Sequence, residues 1–170
     1  MNQNRQTEVL FYERQKFTQR WIWEFVFIAT VLMWCAFLLQ IFFHIQFGNN
    51  PMPNILLLIF WLFFGVGLPM LFYFANLTVE VRHDGIFYRF FPFQKSFKKI
   101  TKEQLKNYEI TTCRPLRDYG GWGIRYTLKG NKAYIVKGNR GVKLEFLTGK
   151  HLLIGSQRAE ELYQAIQNIS

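Results

Sequence analysis

The chain shows two patterns of apolar and polar positions, and the change occurs near residue 75. Residues 21–43 and 55–74 are almost wholly apolar or aromatic, whereas the remainder mixes apolar and polar positions. At about 1.5 Å per residue, each apolar run can cross a hydrocarbon layer roughly 30 Å thick. A backbone in lipid must satisfy its own hydrogen bonds, so the pattern predicts transmembrane helices at residues 21–47 and 55–75. The turn-forming loop 48–54 makes them an antiparallel hairpin.

Charge predicts the orientation of this hairpin. Four Lys or Arg residues precede the first helix, a strongly basic segment follows the second, and the 48–54 loop is uncharged. The positive-inside rule therefore predicts a multi-pass protein of the cell (plasma) membrane, with both termini in the cytoplasm and the loop outside. Residues 1–20 are cytoplasmic in this prediction. They either form an amphipathic helix at the inner interface or contact the domain that follows the hairpin, and the sequence leaves both open.

Polar residues and a proline interrupt the two helices. Glu24 is either a proton or cation site or an interfacial carboxylate beside the preceding arginine. Gln40 and His44 lie one helical turn apart and either hydrogen-bond the second helix or line a site. Pro69 has no amide hydrogen, so it predicts a kink and frees the carbonyl of Gly65.

From residue 76 onward the pattern is that of short strands. Residues 77–82 alternate apolar and polar positions, Asp84-Gly85 is a hairpin signal, and residues 86–91 form the second strand. Further strands are predicted at 97–100, 106–114, 123–128, 133–137, 142–146 and 150–154. Residues 156–169 change to a helical period, with Ser156 as the N-cap and an apolar face of Leu162, Ala165, Ile166 and Ile169.

These elements predict an α+β membrane protein. The two-helix transmembrane hairpin is followed, over residues 76–170, by seven or eight short antiparallel strands and one helix. Such an arrangement resembles the barrel or sandwich of pleckstrin-homology-like (PH-like) domains, in which a C-terminal helix caps the strongly bent sheet. A small up-and-down barrel of another kind is the alternative.

Several segments resemble an uncharacterised prokaryotic family. They are residues 11–17, the Gly-Gly-Trp-Gly segment 119–125, residues 133–134, the Gly-Asn-Arg-Gly-Val segment 137–142 and residues 155–158. Members of that family join two membrane helices to a bacterial PH-like domain, so the resemblance implies this topology over nearly the whole chain. It implies no catalytic residues.

The net charge of +10 points to an acidic neighbour. In residues 76–170, Lys and Arg outnumber Asp and Glu by nine, and anionic lipid is the nearest candidate for a chain tied to a bilayer. The predicted contact surface combines aromatic residues with five lysines: Phe91, Phe93, Lys95, Lys98, Lys99, Lys102 and Lys106. The other interpretation of these lysines is a solvated strand edge that blocks edge-to-edge pairing.

Trp122, Arg125 and Arg140 are candidates for contact with an anion or a partner. The glycines around Trp122 either bind a phosphate through backbone N–H groups or form a structural loop, and no nucleotide-loop spacing is present. Trp122 itself is either a packing plug or an exposed contact. The two arginines, with Arg114 and Arg117, form an anion site only if their loops converge.

Signals of catalysis are absent from the sequence. The three histidines are dispersed, and no HExxH, CxxC or GxSxG motif occurs. We therefore expect no enzyme, no cofactor and no metal site, and no recognition motif points to nucleic acid. The sequence predicts a membrane-anchored module that binds or scaffolds an unknown protein partner at the cytoplasmic face. A reader of anionic lipid headgroups is the alternative, and a small membrane enzyme or oligomeric transporter using Glu24 and His44 is a weaker one.

Overall fold

A computed structural model describes residues 8–45, 51–127 and 130–169 of the chain. The chain forms two compact units. The helical unit is Phe17–Phe74, and the β unit combines the N-terminal segment up to Lys16 with the chain from Ala75 onward. The predicted mixed α+β class and the two apolar helices are confirmed.

Two long helices make up the helical unit, α1 (Arg20–Phe42) and α2 (Asn54–Phe74). The last turn of α1 and the middle of α2 are π-helical. Both helices are long and apolar enough to cross a membrane, and only 11% of the most apolar window of each is buried. α1 ends before residue 47, the predicted end. Residues 46–47 of that prediction and residues 48–50 of the predicted loop lie outside the described residues.

A hydrogen bond and a close approach join the middles of the two helices. Pro69 cannot donate to the carbonyl of Gly65. The indole Nε1 of Trp34 donates to that oxygen instead, at 3.1 Å. Gly65 is buried, and a Cβ added there would lie 3.0 Å from Trp61 Cδ1 and 3.6 Å from the Cβ of Met33. The added Cβ would therefore crowd the Trp61 ring of α2 itself, whereas Met33 of α1 would lie at an ordinary van der Waals distance.

The polar residues of the helical unit bond within the protein. Gln40 Nε2 donates to Met52 O at 2.6 Å and to Asn54 Oδ1 at 2.9 Å, so it binds the start of α2. The carboxylate of Glu24 accepts from Arg20 Nε at 2.9 Å, and both side chains are more than half exposed. An interhelical bond for Gln40 and a carboxylate beside an arginine for Glu24 are therefore the alternatives that the structure supports.

The β unit contains two sheets. The strands β1 (Val9–Lys16), β2 (Asn76–Arg82), β3 (Gly85–Phe91) and β4 (Lys98–Ile100) form sheet 1 in that order. The remaining strands are β5 (Leu105–Thr112), β6 (Gly123–Tyr126), β7 (Lys132–Ile135), β8 (Arg140–Phe146) and β9 (His151–Gly155). They form sheet 2 in the order β5-β8-β9-β7-β6. A short helix α3 (Pro115–Tyr119) follows β5, and α4 (Ala159–Gln167) follows β9.

The first strand of sheet 1 precedes the helical hairpin in the sequence. β1 pairs antiparallel with β2, from Val9↔Arg82 to Lys16↔Asn76, with one irregularity near Val9. The hairpin is therefore inserted between two paired strands, and the β-domain is not confined to residues 76–170. For residues 1–20, the expected amphipathic helix is wrong over β1, and contact with the domain is the correct alternative. Residues 1–7 lie outside the described residues.

Polar contacts hold β1 on the rest of the β unit. Its inner positions are buried at period two and include Glu13 and Gln15. Glu13 accepts from Ser156 Oγ at 2.6 Å and from the Gln157 backbone N–H at 3.0 Å. Gln15 Nε2 donates to Gly155 O at 2.7 Å. We call these three bonds the β1 latch. Because two of its buried positions are polar, β1 lacks the apolar alternation by which strands are recognised.

Further expectations for the β unit need correction. The strands are not all antiparallel, because β7 and β9 pair in parallel. The described strands form two sheets and no closed barrel. The C-terminal helix begins at Ala159 and not at residue 156, because Ser156 belongs to the β1 latch and Arg158 takes the N-cap position. The helix α3 was not predicted, and Leu128 of the predicted strand 123–128 lies outside the described residues.

The apolar core of the β unit has a main part and a smaller second cluster. In the main part, the predicted apolar face of the C-terminal helix is confirmed, since Leu162, Ala165, Ile166 and Ile169 are all buried. Strands β2 and β3 contribute fully buried residues: Leu77, Val79, Val81, Ile86 and Phe90. The second cluster consists of Cys113, Ala133, Ile135 and Leu153.

Candidate functional site

Sheet 1 has two distinguishable ends. At one end Lys16 pairs with Asn76, and Asn76 pairs with Phe91. The chain leaves for the helical unit after β1 and returns before β2 at this end, so we call it the entry end. At the far end, Arg82 pairs with both Val9 and Gly85. β2 has seven residues and therefore spans about 20 Å, which separates the two ends.

An exposed turn lies at the entry end, where β3 stops. Residues 91–97, here called the aromatic turn, lead from the last residue of β3 towards β4. Three phenylalanine side chains are exposed in it, Phe91 by 36%, Phe93 by 65% and Phe97 by 39%. Lys95 is exposed in the same turn. These exposed rings make the aromatic turn a candidate contact surface of the β unit.

Hydrogen bonds fix the base of the aromatic turn. The Gln94 backbone N–H donates to Phe90 O at 2.8 Å, and Gln94 Nε2 donates to the Tyr134 hydroxyl at 2.6 Å. Phe90 and Tyr134 are buried, so the turn is attached to the core of the β unit. Burial raises the pKa of Tyr134, and its hydroxyl therefore stays neutral. The turn thus combines a fixed base with an exposed tip.

Arg89 brings a further cation to the aromatic turn. Its guanidinium carbon lies 4.6 Å from the ring centroid of Phe97, and one of its terminal nitrogens donates to Lys95 O at 3.4 Å. Sequence reasoning missed both Arg89 and Phe97 as members of this site. The sequence offered one signal for them, which is that both residues are close to Phe93. Which of these neighbouring side chains come into contact depends on the strand pairing and on the geometry of the turn.

The five predicted lysines lie in different parts of the β unit. Lys95 lies in the aromatic turn, and Lys98 is exposed at the first position of β4. Lys99 lies further from the entry end, because its Nζ is 2.6 Å from Asp84 Oδ2 in the turn at the far end of sheet 1. Lys95 is therefore the predicted lysine that lies within the aromatic turn, whereas Lys98 directly follows Phe97 and pairs with Tyr88 in the middle of β3.

Two of the predicted lysines have partners elsewhere in the β unit. Lys102 Nζ donates to the main-chain oxygens of Gln167 and Ile169, at the C-terminal end of α4. A cation at that position complements the negative end of the helix dipole. Lys106 Nζ lies 3.6 Å from a carboxylate oxygen of Glu145. The structure does not bring these two lysines together with Phe91 and Phe93.

The predicted contact residues Trp122 and Arg125 lie at the smaller cluster. Trp122 is half-buried and packs against the cluster of Cys113, Ala133, Ile135 and Leu153, which fits the packing alternative. A Cβ at Gly121, whose φ is +125°, would lie 2.8 Å from a terminal nitrogen of Arg125. The glycine therefore leaves space for the guanidinium. Contact of Trp122 or Arg125 with a partner stays a prediction.

Arg140, the third member of that predicted group, pairs within the protein. Its guanidinium forms an ion pair with Glu160 at the first turn of α4. The backbone N–H of Arg114, another of the predicted arginines, donates to Asp118 Oδ2 at 2.7 Å. The pairing of Arg140 lowers the net positive charge at this place, so it does not favour an anion site there.

The last features of the site are the side chains that could bind a metal ion or react. Residues 8–45, 51–127 and 130–169 contain no group of three or more His, Cys, Asp or Glu side chains arranged to hold a metal ion. Burial raises the pKa of the Cys113 thiol, which keeps it in the unreactive protonated form. For His151 the direction is the opposite, because burial disfavours the charged imidazolium and lowers the pKa of the side chain. The positive charge of nearby Lys143 lowers this pKa further.

Comparison with known protein families assigns the chain to one of them. A family model described as a family of unknown function, DUF6141, matches residues 2–170, so the chain belongs to that family. This agrees with the predicted membership of an uncharacterised family. No curated protein and no solved structure matches the chain.

Proposed function

We propose that this DUF6141 protein is a non-enzymatic module that presents a PH-like β-domain at the cytoplasmic face of a prokaryotic cell membrane, where it binds or scaffolds a protein partner. The pairing of Lys16 with Asn76 carries the proposal. The strands on either side of the hairpin are neighbours in one sheet, so both ends of the hairpin emerge on the same side of a bilayer that it crosses. The helical unit then serves as an integral anchor.

The surface of the helical unit supports the anchoring role. Large apolar side chains point outward along both helices, and Phe27 and Ile55 are 68% and 76% exposed. In water, each exposed apolar side chain of this size forgoes about 1.5–3 kcal/mol of transfer free energy, which a hydrocarbon environment restores. The hydrogen bonds of Trp34 and Gln40 between the helices also suit a lipid environment, which provides no water for such groups.

Charge and architecture support the other parts of the proposal. The excess of nine basic over acidic residues in residues 76–170 favours the cytoplasmic side. A four-stranded sheet, a second sheet and a C-terminal helix with a buried apolar face favour the PH-like architecture. The parallel pairing of β7 with β9 is a departure from the predicted antiparallel pattern.

Labelling with a membrane-impermeant maleimide tests the topology. The full chain, with Cys35 and Cys113 replaced by alanine, receives one new cysteine at a time: Arg14→Cys, Met52→Cys or Lys137→Cys. Arg14 and Lys137 belong to the β unit, and Met52 precedes α2. We expect the Arg14 and Lys137 variants to be labelled only from the cytoplasmic side and the Met52 variant only from the outside. Labelling of all three positions from one side without detergent would contradict a spanning hairpin.

The partner is tested in cells with the same full chain. Photoreactive residues on exposed positions of the β unit, such as Leu116, Tyr126 or Leu147, should give reproducible protein adducts. If every exposed position gives none while the topology holds, the scaffold role is wrong and the anchor remains.

A second candidate function is reading of anionic lipid headgroups. The observation that favours it is the aromatic turn at the entry end, with Lys95 beside exposed Phe93. A membrane enzyme or transporter has less support. Glu24 is paired with Arg20, and His44 is exposed beyond the end of α1. These surroundings do not favour either residue as a catalytic or transport site.

A further inference from the structure

We infer that the aromatic turn lies against the anionic headgroups of the leaflet from which the hairpin emerges, so that the β unit is docked on the membrane by the entry end of sheet 1. This inference rests on the proposed membrane anchor and specifies the surface that it brings to the lipid. The contact surface consists of Phe91, Phe93, Phe97, Lys95 and Lys98.

The first argument is the short chain between the units. Only Ala75 separates Phe74, the last residue of α2, from Asn76, and residues 17–19 separate Lys16 from the start of α1. An extended chain spans at most about 3.5 Å per residue step, so Asn76 lies within about 7 Å of Phe74 and Lys16 within about 14 Å of Arg20. Lys16 and Asn76 are therefore held near the bilayer surface by covalent connection alone.

The second argument is the register of sheet 1. Asn76 pairs directly with Phe91, and strand neighbours lie about 5 Å apart. The aromatic turn consequently begins two strands away from Lys16, at the same end of the sheet. The turn at the other end, which contains Asp84, is about 20 Å away along the strands. Of the two turns of sheet 1, only the one with exposed rings is held near the headgroups.

The third argument is chemical. Phenylalanine rings favour the interface between headgroups and acyl chains, and lysines beside them bind anionic headgroups through charge. Phe93 is 65% exposed although Phe90, three residues earlier, is buried. The turn itself contains no acidic side chain, whereas the far turn contains Asp84 and has Lys99 paired to it. The charge at the entry end is thus complementary to an anionic leaflet.

The different partners of the predicted lysines provide a test of this inference. Lys95 and Lys98 belong to the docking surface, whereas Lys99 and Lys106 are paired with Asp84 and Glu145. The double variants K95Q/K98Q and K99Q/K106Q remove the same charge from the same stretch of sequence. Only the first should weaken docking, by about 5-fold in the docking equilibrium for each lysine.

The measurement uses the full chain in nanodiscs, made of phosphatidylcholine alone or of equal parts phosphatidylcholine and phosphatidylglycerol. A benzoylphenylalanine replaces Phe93 in the turn, Val9 at the far end, or Phe63, which is exposed on α2. Lipid adducts are quantified by mass spectrometry after illumination. We expect adducts at position 63 in both lipids, adducts at 93 mainly with phosphatidylglycerol, and none at 9.

The outcomes separate this inference from the proposed function. Adducts at position 63 without any at 93 in anionic nanodiscs would overturn docking and leave the anchor intact. Absence of lipid adducts at both 63 and 93 would overturn both. Equal adduct yields at 93 for the two lysine pairs, or at 93 in the two lipids, would show that the lysines do not act, and the inference of an anionic surface would be wrong.

Discussion

The helical unit and the β unit treat the same kinds of side chain in opposite ways. The helical unit exposes large apolar residues such as Phe25 and Leu62 and hydrogen-bonds Trp34 and Gln40 inside. The β unit buries the apolar residues of its core, such as Leu77 and Ile166, and exposes most of its charge. This difference is the one expected if, as proposed, the helical unit lies in hydrocarbon and the β unit in water.

The largest predicted effect concerns the boundary between the units. Residues 76–170 alone lack β1 and should fail to fold as a monomer, because the β2 edge and the groups of the β1 latch are left unpaired. Replacing residues 17–75 with Asn-Gly joins Lys16 to Asn76 by a two-residue hairpin turn and should give a soluble, folded monomer. Size-exclusion chromatography and thermal melting followed by circular dichroism compare the two chains.

Two results would contradict this division of the chain into two units. If residues 76–170 alone melt cooperatively and at the same temperature as the joined chain, then β1 is an accessory segment. If the joined chain also aggregates, then the β unit depends on the helical unit for folding. The two units would then not be suited to separate surroundings.

Removal of one latch residue should have the next largest effect. Glu13→Ala leaves the buried Ser156 hydroxyl and the Gln157 N–H without their acceptor, and we expect a loss of about 2 kcal/mol in the free energy of unfolding. The matched control is Arg14→Ala, which changes the next residue on the exposed face of β1. Urea unfolding of the joined chain measures both. Equal losses for the two variants would count against the latch.

A smaller effect is expected inside the helical unit. Gln40→Leu removes the bonds to Met52 O and Asn54 Oδ1, and interhelical hydrogen bonds in membranes contribute about 0.6–2 kcal/mol. Phe43→Leu, at a position that is 68% exposed, serves as the control. Unfolding of the full chain by titration with a denaturing detergent compares them. A Gln40 variant as stable as the control would show that this bond does not hold the helices together.

The smallest effect is expected at Glu24. Its ion pair with Arg20 joins side chains that are 58% and 93% exposed, and such pairs contribute at most about 1 kcal/mol. Glu24→Gln should therefore change neither the stability of the full chain nor its insertion by a measurable amount, and Arg20→Gln should behave alike. A strong loss of insertion for Glu24→Gln alone would show that the carboxylate has a role of its own.

The elements that the sequence predicts well are those whose signal is local. The two apolar runs and the apolar face of α4, from Leu162 to Ile169, are recognised within single segments. β1 is not recognised, because its partner β2 lies across the entire hairpin and because Glu13 and Gln15 occupy inner positions. The parallel pairing of β7 with β9 likewise depends on contacts between distant segments.

The candidate site follows the same rule. The run of residues from Phe91 to Lys106 is visible in the sequence, and Phe93 and Lys95 are found in it. The division of the lysines is not visible, since it depends on which turn Lys99 faces and on where α4 ends beside Lys102. A count of charges along the chain therefore overstates the surface that can face a membrane.

The pairing of β1 with β2 also has a consequence for biosynthesis. β1 is synthesised before the two helices, but it cannot pair with its partner until both helices have been made and Asn76–Arg82 follows them. If only one helix inserted, Lys16 and Asn76 would end in different compartments and sheet 1 would stay open. An unpaired β2 edge is the kind of feature that proteases and chaperones recognise. In the proposed topology, completion of the sheet would therefore distinguish a correctly inserted hairpin from a misinserted one, which would be removed.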